Sequence, residues 1–288
     1  MAEEFKMSDG FLDINKIQDI KAKVIAGEVI GLSKAKLDLR ELCEVIPMPK
    51  LLGTRYIATS LSANENVKVL EEADIDSHDY TKVDFDLAYK GKNVVHVAIP
   101  DESEMQADFS VIRLHTQDAA AALAKVENKQ IVEALNDATH SVTGSSWSGA
   151  NDPSDDIMQA IAEISDSDQL FSPDTLLMHP LVWAKLSSNE EIKKYIARDT
   201  VAKTGKLPQV CGLNVVSHPA MAYFTTNSYT DTAIVFDSKA PALCLGDGPV
   251  KVKKYYNNTK FYTGIAVAKW IQPKLLLDDA VRYITGVS

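Results

Sequence analysis

Apolar and polar positions along this chain change period several times, and each change predicts an element. Asp13 to Ala26 carries Ile14, Ile17, Ile20 and Ile25 at loose helical spacing. Leu37 to Ile46 alternates well enough for a strand, although a helical turn also fits. Pro47 and Pro49 then force extended backbone. Arg55-Tyr-Ile-Ala-Thr-Ser-Leu-Ser62 enters a two-stranded excursion. Val83-Asp-Phe-Asp-Leu-Ala-Tyr89 alternates with period two, and Asn93-Val-Val-His-Val-Ala-Ile-Pro100 continues as strand beyond Gly91. Between the strands lies an acidic stretch, Val69 to Tyr80, with little apolar bulk. Such a long hairpin buries too little to stand alone and predicts a partner surface.

The strongest helical signal covers 101–137. Acids after Pro100 suit a helix start, and a break fits near Ala107-Asp-Phe109. From there Val111, Leu114, Ala119, Ala122, Leu123, Val126, Ile131 and Leu135 mark a helix about 40 Å long, rich in alanine. His140 to Asp152 reads as a surface loop centred on Gly144-Ser-Ser-Trp-Ser-Gly149. Pro153 opens another helix to Ile164, followed by a buried strand over 174–179 and helices over 180–187 and 190–197. A loop spans Lys203 to Pro208. After Leu213 the chain is mostly β, with a long strand near 259–273 and a short one near 279–285. The class is α+β, with helices and strands segregated by region.

Bulk numbers narrow the partners. The 288 residues are 45% hydrophobic, enough for one large domain or two lobes. A net charge of −10 and a pI of about 5.1 argue against a nucleic-acid reader, which normally carries a basic face. No apolar run approaches the ~20 residues of a membrane span, and Met1-Ala-Glu-Glu-Phe-Lys6 lacks a signal-peptide pattern. Cys43, Cys211 and Cys244 are far apart and odd in number, as small buried hydrophobes in a reducing compartment would be.

The search for chemistry returns little. Ser33-Lys-Ala-Lys36 matches a serine–lysine spacing without partner motifs. Six scattered histidines show no metal-pair spacing, and His179 and His218, each before a proline at a strand end, read as turn caps. Glu71, Glu72, Asp74, Asp76 and Asp79 lack the spacing of a calcium loop and read as a hairpin tip. Lys251, Lys253 and Lys254, followed by Tyr255 and Tyr256, form the one basic-aromatic cluster. Lys251 and Lys253 would share a strand face, either solvated or paired with an acidic hairpin of another subunit. No catalytic residue, cofactor or metal site is expected.

The order of these segments resembles the tailed-virus, Hong Kong 97-type major capsid protein family. Glu71-Glu-Ala-Asp-Ile-Asp-Ser-His-Asp-Tyr80 resembles the acidic passage of that family's extended E-loop, and Val94 to Met105 its returning strand. Phe109 to Asn136 resembles the spine helix of the peripheral domain. Leu176-Leu-Met-His-Pro-Leu-Val-Trp-Ala-Lys-Leu186, Gly212 to Ser217 and Ala233 to Ala240 resemble the axial domain. Ile265 to Trp270 and Leu277 to Arg282 resemble the closing peripheral strands.

The resemblance implies an N-terminal arm over 1–53, an E-loop hairpin over 54–99, a peripheral domain over 100–150 and 250–288, and an axial domain over 151–249. It also implies pentamers and hexamers in an icosahedral shell around double-stranded DNA, held without sequence-specific contact. Scaffolding, portal and decoration proteins would be partners, with assembly in the host cytoplasm and no membrane. Candidate contacts are the five hairpin acids, Lys251, Lys253 and Lys254, the arm near Ile46 to Leu52, and the loop 200–209. Some relatives cross-link a hairpin lysine to a neighbour's asparagine. Nothing marks a pair among Lys68, Lys82, Lys90 or Lys92 and Asn257 or Asn258. The alternatives are an encapsulin-like compartment shell and, third, an α+β enzyme.

Overall fold

The structure is a computed structural model. It describes residues 39–48, 54–58, 81–85, 91–100, 110–148, 151–167, 171–195, 209–239 and 242–288. The expected helix at 13–26 and the hairpin acids lie outside them.

In chain order the strands are β1 (Glu44–Pro47), β2 (Thr54–Ala58), β3 (Thr81–Phe85), β4 (Lys92–Pro100), β5 (Ser141–Thr143) and β6 (Thr175–Met178). They continue as β7 (Gln209–Val210), β8 (Leu213–Ser217), β9 (Thr232–Phe236), β10 (Leu243–Asn257), β11 (Tyr262–Leu275) and β12 (Val281–Thr285). The helices are α1 (Ser110–Leu135), α2 (Pro153–Ser165), α3 (Pro180–Ser188) and α4 (Glu190–Tyr195). Among the described residues, no helix is long and apolar enough to cross a membrane.

Two sheets organise the body. The first runs β1-β10-β11-β4, with β1 parallel to β10 and the remaining pairs antiparallel. Valine alternation in β4 turns Val95 and Val97 toward α1, where they meet Ile265, Val267, Ala120 and Leu123. Ala120, small and fully buried in that cluster, lets the helix backbone approach this sheet closely. α1 spans 26 residues, or about 39 Å.

The second sheet runs β5-β12-β9-β6-β8-β7. β6 and β9 are buried at every position, hence their unbroken apolar runs. α2 covers this sheet through Ile157, Ala160 and Ile164. Asp152 caps it by accepting from the Ser154 amide at 2.9 Å, with Pro153 preset for the first turn. β5 and β12 enter this sheet from either side of 151–249, so it crosses the division expected at 150 and 250. Periodicity reveals a strand but not its partner.

Other departures are local. Leu37 to Ile46 divides into a 3-10 turn, Leu39–Leu42, and β1. The late strand expected near 259–273 is one arm of a long antiparallel ribbon whose other arm is β10. The register slips between Asp247 and Val250, where Gly248 and Pro249 interrupt the ladder. β2 pairs antiparallel with β3, Tyr56 opposite Val83.

The glycine-serine loop is anchored. Trp147 is fully buried, and its Nε1 donates to Asp156 Oδ2 at 2.9 Å. The same oxygen accepts from the Ser145 amide at 2.9 Å. A Cβ on Gly144 would lie 2.8 Å from Ile284 Cγ2, so close packing requires glycine there. Asp156→Ala strands these donors and is expected to cost about 2 kcal/mol in denaturant unfolding. A change below about 0.5 kcal/mol would show that the loop is held by other contacts.

Candidate assembly surfaces

The first sheet presents α1 on one side and, on the other, a face that no described helix covers. Along that face Gly264, Ala266 and Ala268 form a row of small residues ending at Trp270. Lys251 stands opposite Ala268, Lys253 opposite Ala266 and Tyr255 opposite Gly264. On the other flank Lys92 pairs with Trp270, Val94 with Ala268 and His96 with Ala266. Lys92, Val94, His96, Lys251, Lys253 and Tyr255 are all exposed. The expectation that Lys251 and Lys253 share a face agrees with this register. Lys254 stands opposite Ile265 in the ladder, and its side chain lies outside the described residues.

Trp270 organises the inner end of this face. Lys251 Nζ lies 5.5 Å and Lys92 Nζ 5.8 Å from its ring centroid. Ile46 and Met48 pack against the same indole and Cys244. At the outer end the rings of His96 and Tyr255 stack with centroids 5.5 Å apart, and the Tyr255 hydroxyl bonds His96 Nε2. Tyr262 meets Tyr255 edge-on at 6.1 Å. Their hydroxyls bond each other, which pushes Tyr255 up and Tyr262 down in pKa. Tyr255 lies across Gly264, where a Cβ would come 2.5 Å from its Cζ. Phe261 at the ribbon tip is 67% exposed.

The sequence marked the lysines and tyrosines of this cluster but missed Lys92 and His96. Period two in 93–100 could have placed them on one face, but only the register against β11 aligns that face with β10. Among the described residues, no carboxylate is within ion-pair distance of Lys92, Lys251 or Lys253. Glu71, Glu72, Asp74, Asp76 and Asp79 lie outside the described residues, as do 49–53 and 196–208.

A second feature fixes where residues 39–48 join the body. Glu127 on α1 is 1% exposed and receives Arg40 Nη1 at 2.7 Å and Lys269 Nζ. Arg40 Nη2 also reaches Asp247 at 2.6 Å, beside the register slip in β10. Burial works against the Arg40 charge, yet Asp247 and Glu127 outweigh it and raise its pKa. Leu39 and Cys43 enter the buried cluster of Ile131 and Leu135.

The three cysteines are packed into the body, and His179 and His218 cap turns. Burial raises the Cys43 and Cys211 thiol pKa values and pushes Cys244 up to about 12. Cys43 and Cys244 pack in different clusters. His179 Nδ1 accepts from the Leu181 amide at 3.2 Å, and His218 Nδ1 from the Ala220 amide at 3.0 Å, so both cap the turns they precede. Burial lowers the His179 pKa. Among the described residues, no group of three potential metal ligands converges.

A family profile described as phage capsid protein matches residues 97–270, more than half of the chain. No curated protein matches. Among solved structures, the chain is similar to the capsid of the cyanophage P-SCSP1u. Identity is 15% over 87% of this chain and 88% of that one, with a TM-score of 0.60. It is similar to the mature capsid of bacteriophage PhiM1 at 13% identity, over 99% of this chain and 91% of that one, with a TM-score of 0.58. It is also similar to the SrpI encapsulin of Synechococcus elongatus at 11% identity, over 87% of each chain, with a TM-score of 0.58. The fold is the Hong Kong 97-like fold that the segment order suggested.

Proposed function

The chain belongs to the phage capsid protein family, and from that premise we propose that it builds the icosahedral head of a tailed virus from pentamers and hexamers. It is a structural protein of the virion capsid that assembles with copies of itself. The observation that carries the reading is the profile match across 97–270, which takes in α1, the second sheet except β12, and most of the β10–β11 ribbon. The encapsulin shares the fold, but the family match favours the virion over a cellular compartment.

Residues 54–99 form the extended hairpin, whose last strand β4 joins the first sheet; α1 and the rest of that sheet form the peripheral domain, and 151–249 the bulk of the axial domain. The shell encloses double-stranded DNA without reading its sequence. The net charge of −10 supports this, because strong attraction would hinder packing and release. Scaffolding, portal and decoration proteins join the assembly in the host cytoplasm. The role carries no catalytic step.

The contact between subunits joins opposite charges. The run Glu71, Glu72, Asp74, Asp76 and Asp79 of one subunit lies against the face of its neighbour that carries Lys251 and Lys253. Charge complementarity supports the pairing: described Lys251 and Lys253 are exposed and aligned, and the acids crowd into nine residues. Two exposed pairs at about 0.5–1 kcal/mol each imply roughly a tenfold shift in the concentration needed for assembly. Lys251→Glu with Lys253→Glu is expected to raise that concentration about tenfold in light scattering. Adding Glu71→Lys and Glu72→Lys is expected to restore it. An unchanged threshold in the first variant would exclude the pairing.

A further inference from the structure

We propose that a cleft beside α1 is the seat of this chain's own residues 13–26. The cleft has a volume of about 490 Å³. One wall is α1, through Ala121, Ala124, Lys125 and Asn128, and the other is the 3-10 turn Pro219–Tyr223 with His218. Its lining is mainly small and apolar, which admits branched side chains rather than a charged ligand. Asn128 Nδ2 lies 3.4 Å from His218 Nε2 across the two walls.

Three observations choose the occupant. The first is where the chain enters. Leu39 packs with Ile131 and Leu135, and Arg40 is bound to Glu127. The cleft residues sit on the same helix, one to two turns earlier and on the adjoining face. Residues 27–38 reach up to about 40 Å when extended, enough to span the one to two turns of α1, about 5–10 Å along its axis, between the two places. The short tether favours the chain's own segment over a second copy.

The second observation is spacing. Ile14, Ile17 and Ile20 span about 9 Å in a helix, and Ala121 to Asn128 spans about 10 Å on α1. The third is termination. Gly27 and Gly31 follow the apolar stripe directly, where a helix would stop and the chain turn toward Leu39. Seated there, the segment ties α1 to the Pro219–Tyr223 turn and so joins the two sheet systems from outside. This inference does not depend on shell formation and is tested on dispersed subunits.

The test is site-specific photocrosslinking of the full chain carrying Lys125→p-benzoylphenylalanine, with adducts mapped by mass spectrometry. Lys125 is exposed at the cleft mouth, so the substitution leaves the core intact. The expected adduct lies within residues 13–26 of the same molecule. Ile17→Asp with Ile20→Asp is expected to lower its yield about tenfold while leaving the thermal midpoint within a few degrees. Three results would each overturn the inference: no adduct within 13–26, adducts between isotopically distinct copies, or an undiminished yield in the double variant.

Discussion

Deleting residues 68–82 is expected to leave a folded, soluble subunit that no longer closes into shells. The segment lies in the long excursion that β2 and β3 open, and its acidic composition gives it little apolar surface to bury against its own body. A two-stranded excursion of this length is stable only against a partner. In a symmetric shell every subunit makes the same contact, so its loss is multiplied around every ring. Sedimentation should show subunits or small oligomers, and thermal unfolding should change by less than about 1 kcal/mol equivalent. Shells of normal size from the deleted chain would sink the idea that the hairpin drives closure.

The second large effect is on the arm's anchor. Glu127→Gln keeps the shape of the side chain but removes the charge that Arg40 and Lys269 share. Breaking one partner out of a buried ionic cluster costs about 3–5 kcal/mol, because the remaining charges stay desolvated. For a chain of this size that lowers the melting temperature by on the order of 10 °C. A companion variant separates charge from packing. Arg40→Met, Glu127→Leu and Lys269→Met together are expected to recover most of the loss, since an apolar cluster of similar volume carries no unpaired charge. A melting temperature within 2–3 °C of the parent for Glu127→Gln, about 1 kcal/mol, would mean that strand pairing of β1 alone holds the arm.

How much of this was legible in the sequence depends on how local each signal is. The alanine run and its period made α1 plain, and the described helix ends at Leu135 within two residues of the expectation. Pro153 behind Asp152, and the His-Pro pairs at 179 and 218, announced their turns because capping acts over two or three residues. Alternation placed Lys251 and Lys253 on one face.

The rest is set by contacts between distant segments. Arg40 is 87 residues from Glu127, and Lys269 is 142 residues from it, so no window contains the cluster. Lys92 and His96 join the basic-aromatic face only through the register of β4 on β11. The loop around Trp147 looked solvated because glycine and serine dominate it, whereas one buried indole on one carboxylate fixes it. β5 and β12 carry too few residues to reveal which sheet they join.

The most direct test of the shell assignment is electron microscopy of the chain expressed alone and concentrated stepwise. Closed particles of uniform diameter, or rings of five and six subunits, are expected. A uniform monomer or dimer at every concentration, unchanged when a scaffolding protein is co-expressed, would contradict the assignment.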